Sequence, residues 1–533
     1  MIEPSKRPPP WGDHEPPPKP KRYWWRFTLA SLIIVSTTAA ATAISVLLFL
    51  GSIATALSHH NHYGKLHHYL SQVHGGEPEN ILILGSDKRA SLPGDPGRSD
   101  TTILLRLDPN RNAIALMSIP RDLKVEIPGY GVGKFNEAYT IGGAKLTLRL
   151  VKQLTGLRIN HIVNVDFLGF VRAVDAINCV YVDVDRRYYH SNVGVPASEQ
   201  YSEINVQPGY QLLCGKKALE YVRYRHTDTD LVRAARQQDF LSDARQRVPV
   251  SKLVLGQDSL IEVFTRYTTS DISSTETMIQ VLKLFIASRN AAIKEVHFPA
   301  TLGPSYVYAS ESAIHAAVNK FLGIEASGGP RGSLDEGDGE RGKSRSPHRG
   351  RHRPSLAKPK PPGSDGLVPA AEAGELEAKS VARKVGHAFP VFYPTRLPSG
   401  ASYVESSSYY HVQDPRVYHL SGTDGKRHGA YRMVVSLSLP DGIHYFGVQG
   451  IQGWSDPPIL ANPSLTKTIH GREYEIFVDG DRIKMIAWHR GDNVYWVSNS
   501  LLEVLTNDQM VGLVRSARVI IPSQRPKRGK RAQ

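Results

Sequence analysis

Cysteine is almost absent. Cys179 and Cys214 are the only two in 533 residues, so neither a zinc ribbon nor a disulfide-dense scaffold can be built. A reduced pair would be unremarkable in a cytosol; outside a membrane the two can bridge. Charge is absent from one long stretch. Phe27 to about Leu57 carries none and is rich in Leu, Ile, Val, Ala and Thr. That run exceeds the roughly 20 residues needed to cross a bilayer's hydrocarbon core. Lys6, Arg7, Lys19, Lys21, Arg22 and Arg26 precede it, with Trp24 and Trp25 at headgroup depth. The positive-inside bias therefore leaves the N-terminus in the cytoplasm and everything after His59 outside, in a single-pass plasma-membrane protein. A cleaved signal peptide is the alternative; the span is long for one, and an uncleaved signal anchor is preferred. The histidines that follow (His59, His60, His62, His67, His68) lack carboxylate or cysteine support, so no metal is assigned to them. The net charge of +15 points to anionic lipid, an acidic polymer or nucleic acid. The topology excludes nucleic acid as a partner of the large outer portion.

Large apolar residues are scarce from 324 to 385, which is rich in Gly, Pro, Ser, Arg and Lys and reads as a flexible basic linker. It separates two folded units. Residues 1–26 form a Pro-rich cytoplasmic tail, 27–57 the anchor, 78–323 the first unit, 386–521 the second, and 522–533 a basic tail. The first unit reads as α/β, a mixed central sheet flanked by helices. Asn80–Gly85, Thr101–Leu107 and Ala113–Ile119 are apolar strands separated by Gly/Pro or Asn turns. Lys134–Gln153 is a helix broken at Gly142-Gly143, and residues 159–185 read as strand, helix, strand. Amphipathic helices are expected at 259–267 and 276–288. The face made by Met278, Val281, Leu282, Leu284 and Phe285 is either core or one wall of a lipid slot. The second unit reads as a smaller α+β domain with an antiparallel meander over 474–497 and a closing helix at 507–517. Its Trp454, Trp488 and Trp496 are core and interface aromatics, or a sugar-binding platform. No catalytic constellation occurs in it.

What is abundant is charge at strand ends. Asp87 closes the first strand, Arg98 and Asp100 open the second, and Arg121 follows the third, so a meander would bring them together. Two neighbouring carboxylates suit magnesium, a hard cation; they also suit ordinary turn capping. The stretch YVRYRHTDTDLVRAARQQ (221–238) adds Arg223 and Arg225, two apart and on one face if extended. Asp228 or Asp230 caps a helix on which Arg233 and Gln237 share a face. Planar, permanently charged guanidiniums match phosphate oxygens in pairs. A solvated, salt-bridged helix is the plainer reading.

Together, NILILGSD, RSDTTILL, SIPRD, KFNEAY with Gly142-Gly143, and YVRYRHTDTDLVRAARQQ resemble the LytR-CpsA-Psr family, strongly over about 78–250. The resemblance implies transfer of a glycopolymer from a polyprenyl-pyrophosphate carrier to peptidoglycan, with the lipid in an apolar tunnel. It implies that Asp87 and Asp100 serve Mg2+, and that Arg98, Arg121, Arg223, Arg225, Arg233 and Gln237 contact the pyrophosphate, with Asp230 in the same cluster. It also implies a Cys179–Cys214 pair. The same residues would serve a polyprenyl-pyrophosphate pyrophosphatase, or a non-catalytic module holding wall polymer or lipid.

Overall fold

The apolar runs between residues 79 and 118 form three consecutive antiparallel strands, β1 (Glu79–Ser86), β2 (Ser99–Asp108) and β3 (Ala113–Ser118). The structure, a computed structural model, describes residues 63–87, 97–196, 200–224, 227–247, 267–272, 293–325, 327–331, 365–385, 389–404, 416–469 and 471–522, with a few isolated positions besides. All of these ranges lie in the compact unit Ile53–Gln533. The expected anchor at 27–57 lies outside the described residues, Ser31 apart. Among the described residues no helix is long and apolar enough to cross a membrane.

The chain continues through α1 (Glu137–Thr155), β4 (His161–Asp166), α2 (Phe167–Ala176), β5 (Val180–Val184), β6 (Gly209–Leu213), α3 (Gly215–Arg223) and α4 (Asp230–Arg247). Short strands β7 (Thr268–Ser270) and β8 (Ile293–Glu295) and helix α5 (Glu311–Gly323) complete the first unit. The sheet order is β7-β4-β1-β2-β3-β8, with β4 parallel to β1 and β8 parallel to β3, so it is mixed as expected. Strands covered on both faces read as near-continuous apolar runs. One face packs Leu82, Leu84, Leu104 and Met117 against Leu148 of α1 and Phe321 of α5. The other gathers Ile81, Leu107, Ile114 and Val163 with Leu284, and Val281 packs half-buried beside them. The side chains of Met278, Leu282 and Phe285 lie outside the described residues, as does most of the helix expected at 259–267. Cys179 and Cys214 are disulfide-bonded, tying the start of β5 to the start of α3.

Two expectations need correction. Arg223 is not in extended chain: α3 runs through it, because Ala218, Tyr221 and Val222 bury a helical face. The linker is also shorter than composition suggests. Leu367–Pro369 is a strand, and α6 (Ala371–Lys384) packs Ala378 and Val381 into the core of the second unit. That unit contains an eight-stranded antiparallel sheet, which includes the expected meander, and α7 (Asn507–Arg515) with a Thr506–Gln509 capping box.

The second unit is docked on the first through buried charge. Asp183 of β5 accepts from Arg432 Nη1 at 3.0 Å and from Trp496 Nε1 at 3.0 Å. Arg331, 5% exposed, donates to Asp239 of α4 and Asp479 at 2.9 Å each and forms an ion pair with Glu295 at 2.8 Å. Burial opposes ionisation of Asp239, but Arg331 and Lys484 outweigh it and hold its pKa at about 2. Tyr181 and Tyr210 pack with Trp454 and Trp496, so these tryptophans are interface core; Trp488 lies in the second unit's own core. All three are at most 5% exposed, which rules out a sugar platform built on them.

Arg331→Ala leaves three buried carboxylates without their shared cation. It should destabilise the protein by about 3–5 kcal/mol, measured by denaturant unfolding. A second prediction concerns pH. Burial disfavours a charge on His161, but Asp271 (Nδ1, 2.8 Å) and Glu79 (Nε2, 3.3 Å) outweigh it and raise its pKa to about 9. A raised folded-state value means this stabilisation is fully present below the ordinary pKa of about 6.5 and is lost as pH rises through 9. Thermal unfolding of His161→Gln should show less loss than the parent between those pH values.

Candidate active site

Register at the end of the sheet creates the site. Gly85 pairs with Thr101 and Ser86 with Ser99, so Asp100 is the extra residue of a β-bulge. Bulges re-aim side chains and cluster near active sites. Gly85 allows the close approach, since a Cβ there would lie 3.0 Å from Thr101 Cβ. The Asp87 amide donates to the Arg98 carbonyl at 3.0 Å, and the Arg98 amide donates back to Asp87 Oδ1. Asp87, Arg98 and Asp100 are thus held at one sheet corner. The Arg98 side chain is exposed.

Arg121, after β3, reaches this corner. Its Nη1 donates to Asp100 Oδ1 at 2.9 Å, and its Nε lies 3.3 Å from Asp122 and 3.6 Å from Asp230. Its amide donates to Asp230 Oδ2 at 3.0 Å, which ties the strand end to the first turn of α4. Burial works against the Arg121 charge; Asp100, Asp230 and Asp122 outweigh it, and the guanidinium stays more firmly ionised than a free one. Arg233, one turn into α4 and 5% exposed, bonds Asp230 and also donates to the Asp100 carbonyl at 3.1 Å. Gln237, a turn further, accepts from Thr101 Oγ1 at 3.2 Å and donates to the Val222 carbonyl at 3.2 Å. Thr140, in the first part of α1, donates to the Gly97 carbonyl at 3.2 Å. That contact precedes the break in α1, where Gly142 and Gly143 (φ 59°) leave helical geometry.

Asp100, Arg121, Asp230 and Arg233 therefore meet through their side chains, while Asp87 and Arg98 share the same sheet corner through the backbone and Gln237 bonds Thr101 beside them. Arg223 sits against Ser202 Oγ (3.3 Å) and the Phe167 ring (3.9 Å). Arg225 lies outside the described residues. The cap of α4 differs from expectation: Thr229 Oγ1 accepts from the Val232 amide at 3.3 Å. Asp228 is spent elsewhere, bonding both Arg186 and Arg236. Arg236, fully buried, donates to the Tyr221 and Tyr224 carbonyls at 2.9 and 3.1 Å, placing a cation at the C-terminal end of α3. Arg186 lies against the rings of Tyr188, Tyr224 and Tyr445, the last from the second unit. Arg236 thus ties α4 to the C-terminal end of α3, with Asp228 and Arg186 beside it.

Two site residues escaped the sequence reading. Asp122 bridges Arg121 and Lys134, with Lys134 Nζ 3.0 Å from its Oδ1. Both stand in motifs already singled out, SIPRD and KFNEAY, and the acid beside Arg121 was the available signal. Among the described residues no group of three or more His, Cys, Asp or Glu is arranged to hold a metal. The Asp87 and Asp100 carboxylates still suit magnesium in kind, because that ion takes one or two carboxylates and completes its shell with water and phosphate oxygens. The cavity of about 810 Å³ between the two units is no greasy tunnel: carboxylates, Arg331 and Lys484 line it alongside apolar residues.

Comparison with known proteins adds the family. A polyisoprenyl-teichoic acid–peptidoglycan teichoic acid transferase, TagU of Oceanobacillus iheyensis, is 30% identical over 254 residues, 46% of this chain and 75% of TagU. A probable cell wall biosynthesis protein, LcpB of Corynebacterium glutamicum, is 35% identical over 188 residues, 32% of this chain and 42% of LcpB. Among solved structures, the LytR-CPS2A-psr family protein YwtF (TagT) with bound octaprenyl pyrophosphate lipid is 23% identical with a TM-score of 0.35, covering 48% of this chain and 92% of that one. The model of the LytR_cpsA_psr family matches residues 46–321, more than half of the chain, and the chain belongs to that family.

Proposed function

We propose that the protein is a membrane-anchored phosphotransferase that moves a glycopolymer from a polyprenyl-pyrophosphate carrier onto peptidoglycan, on the outer side of the plasma membrane. The observation that carries this reading is the meeting of Arg121 and Arg233 on Asp230 beside the bulged Asp100. The transferase names of TagU and its Bacillus subtilis counterpart TagT support it.

In the proposed reaction an acceptor hydroxyl oxygen attacks the sugar-linked phosphorus. The new P–O bond forms as the bond from that phosphorus to the bridging oxygen breaks, and polyprenyl phosphate leaves with the electron pair. The hydroxyl proton passes to a carboxylate, for which Asp87, Asp100 and Asp230 are the candidates. Arg121 and Arg233, with Arg98 and Arg225, would stabilise charge on the bridging and non-bridging oxygens where it develops. Asp87 and Asp100 would hold magnesium, which supplies further neutralisation of pyrophosphate charge when bound.

Charge balance gives this assignment a consequence. The corner carries four carboxylates, Asp87, Asp100, Asp122 and Asp230, and four cations, Arg98, Arg121, Lys134 and Arg233, so it is formally neutral. A pyrophosphate diester brings about two negative charges and magnesium two positive ones. Entering together, they keep the balance. Binding of a short prenyl pyrophosphate should therefore weaken when magnesium is chelated, and magnesium binding should weaken equally without the pyrophosphate; calorimetry in both orders checks this.

Activity is tested with the full chain in detergent, magnesium, a short lipid-linked saccharide and peptidoglycan fragments, read by mass spectrometry. The expected product is saccharide phosphate joined to peptidoglycan. Arg121→Ala should cut turnover by about 100-fold or more, the usual effect of removing one charge-stabilising donor. Near-parental turnover in that variant would contradict the proposal. Free saccharide phosphate as the sole product would replace it with a pyrophosphatase, and unchanged lipid with a binding module.

A further inference from the structure

One unassigned feature is a cavity between the units. Its volume is about 810 Å³, and its walls come from α4, β5 and β8 on one side and the second unit on the other. The carboxylates lining it outnumber the cations. One guanidinium, Arg331, serves Asp239, Glu295 and Asp479, and Lys484 also bonds Asp239. Two further lining carboxyls, Glu503 and Asp243, accept no hydrogen bond among the described residues. Glu503 is 1% exposed, and neither of its oxygens has a hydrogen-bond partner; Oε1 lies 3.6 Å from Arg331 Nε. Asp243 forms no hydrogen bond or ion pair among the described residues, although Lys484 and Arg331 act on it through space. A buried carboxylate without a donor, as Glu503 is, is costly and calls for a cation or a proton.

The cavity is of the size that takes a small organic molecule, far larger than a bare ion needs. Among the described residues no group of three or more His, Cys, Asp or Glu is arranged to hold a metal. Its walls also include Ile459, Phe477 and Met485, which suit an aliphatic stem. We propose that this cavity binds a small aliphatic amine carrying more than one ammonium group, with Glu503 and Asp243 accepting from its charged ends. The site is separate from the arginine cluster and does not rest on the transferase reading.

Proton linkage supplies a distinctive readout. Burial raises the Asp243 and Glu295 carboxyls to about 8, with Lys484 working against the shift at Asp243 and Arg331 at Glu295. Glu503 is raised as well, by burial, with Asp479 and Glu295 adding to it and Arg331 and Lys484 opposing. At neutral pH Asp243 therefore holds a proton. An arriving ammonium favours the ionised forms of these carboxyls, so binding releases protons and strengthens as pH rises toward 8.

The test is calorimetry of the full chain in detergent with putrescine at neutral pH. Two buffers of different ionisation enthalpy are used, at about 0.15 M salt to screen surface charge. The expected result is saturable binding with net proton release. Glu503→Gln should weaken it by about tenfold or more, the loss of one charge-assisted hydrogen bond, and Asp243→Asn should reduce both affinity and proton release. Thermal unfolding checks that the variants fold; Asp243 is only half-buried, so its variant carries the test if Glu503→Gln does not fold. Absence of saturable heat would overturn the proposal. So would parental binding in Asp243→Asn, or displacement of putrescine by an equal concentration of magnesium chloride.

Discussion

Asp230 holds together what would otherwise be separate pieces of the chain. One of its oxygens accepts the Arg121 amide; the other bonds Arg233 and faces Arg121 Nε. The sheet end and the first turn of α4 are thereby locked at a common point, and Asp100, thrown out of register by the bulge, closes the cluster from β2. Arginines gathered without these carboxylates would repel one another. Gathered with them, they form a cluster of alternating charge with its side chains already in position.

A second constraint holds the elements on which that cluster stands. Asp183 and Asp239 lie on β5 and α4, which flank the arginine-bearing segment, and each is bonded by cations of the second unit or of the residues leading to it. Tyr445 extends the contact to Arg186, and Arg186 shares Asp228 with Arg236. The second unit thus contacts the elements that carry the site from far along the chain, as the 249-residue separation of Asp183 and Arg432 illustrates.

Much of this was legible in the sequence, for local reasons. Strands β1 to β3 are short apolar runs between turn residues, and each places its charged residues at an end, so Asp87, Asp100 and Arg121 could be grouped before any coordinates. The break in α1 follows from two adjacent glycines. The bulge was not legible, because one extra residue leaves no mark on apolar alternation. The helical state of Arg223 was hidden by polar spacing that also fits a strand, and was settled by burial of Ala218, Tyr221 and Val222. Asp228 looked like a cap; its arginine partners, one of them 42 residues away, took it instead. Composition also misassigned 367–384, since α6 contributes few large side chains and is held by the core it meets. The charged contacts around Arg331 depend on tertiary partners that periodicity does not register.

The central claim is that the cluster joined by Asp230 is where pyrophosphate binds. The most direct measurement is a crystal structure of the protein soaked with a short prenyl pyrophosphate. The account predicts phosphate oxygens within hydrogen-bonding distance of Arg121 and Arg233, beside Asp87 and Asp100. A pyrophosphate bound elsewhere, with Arg121 and Arg233 still paired only to their carboxylates, would contradict it.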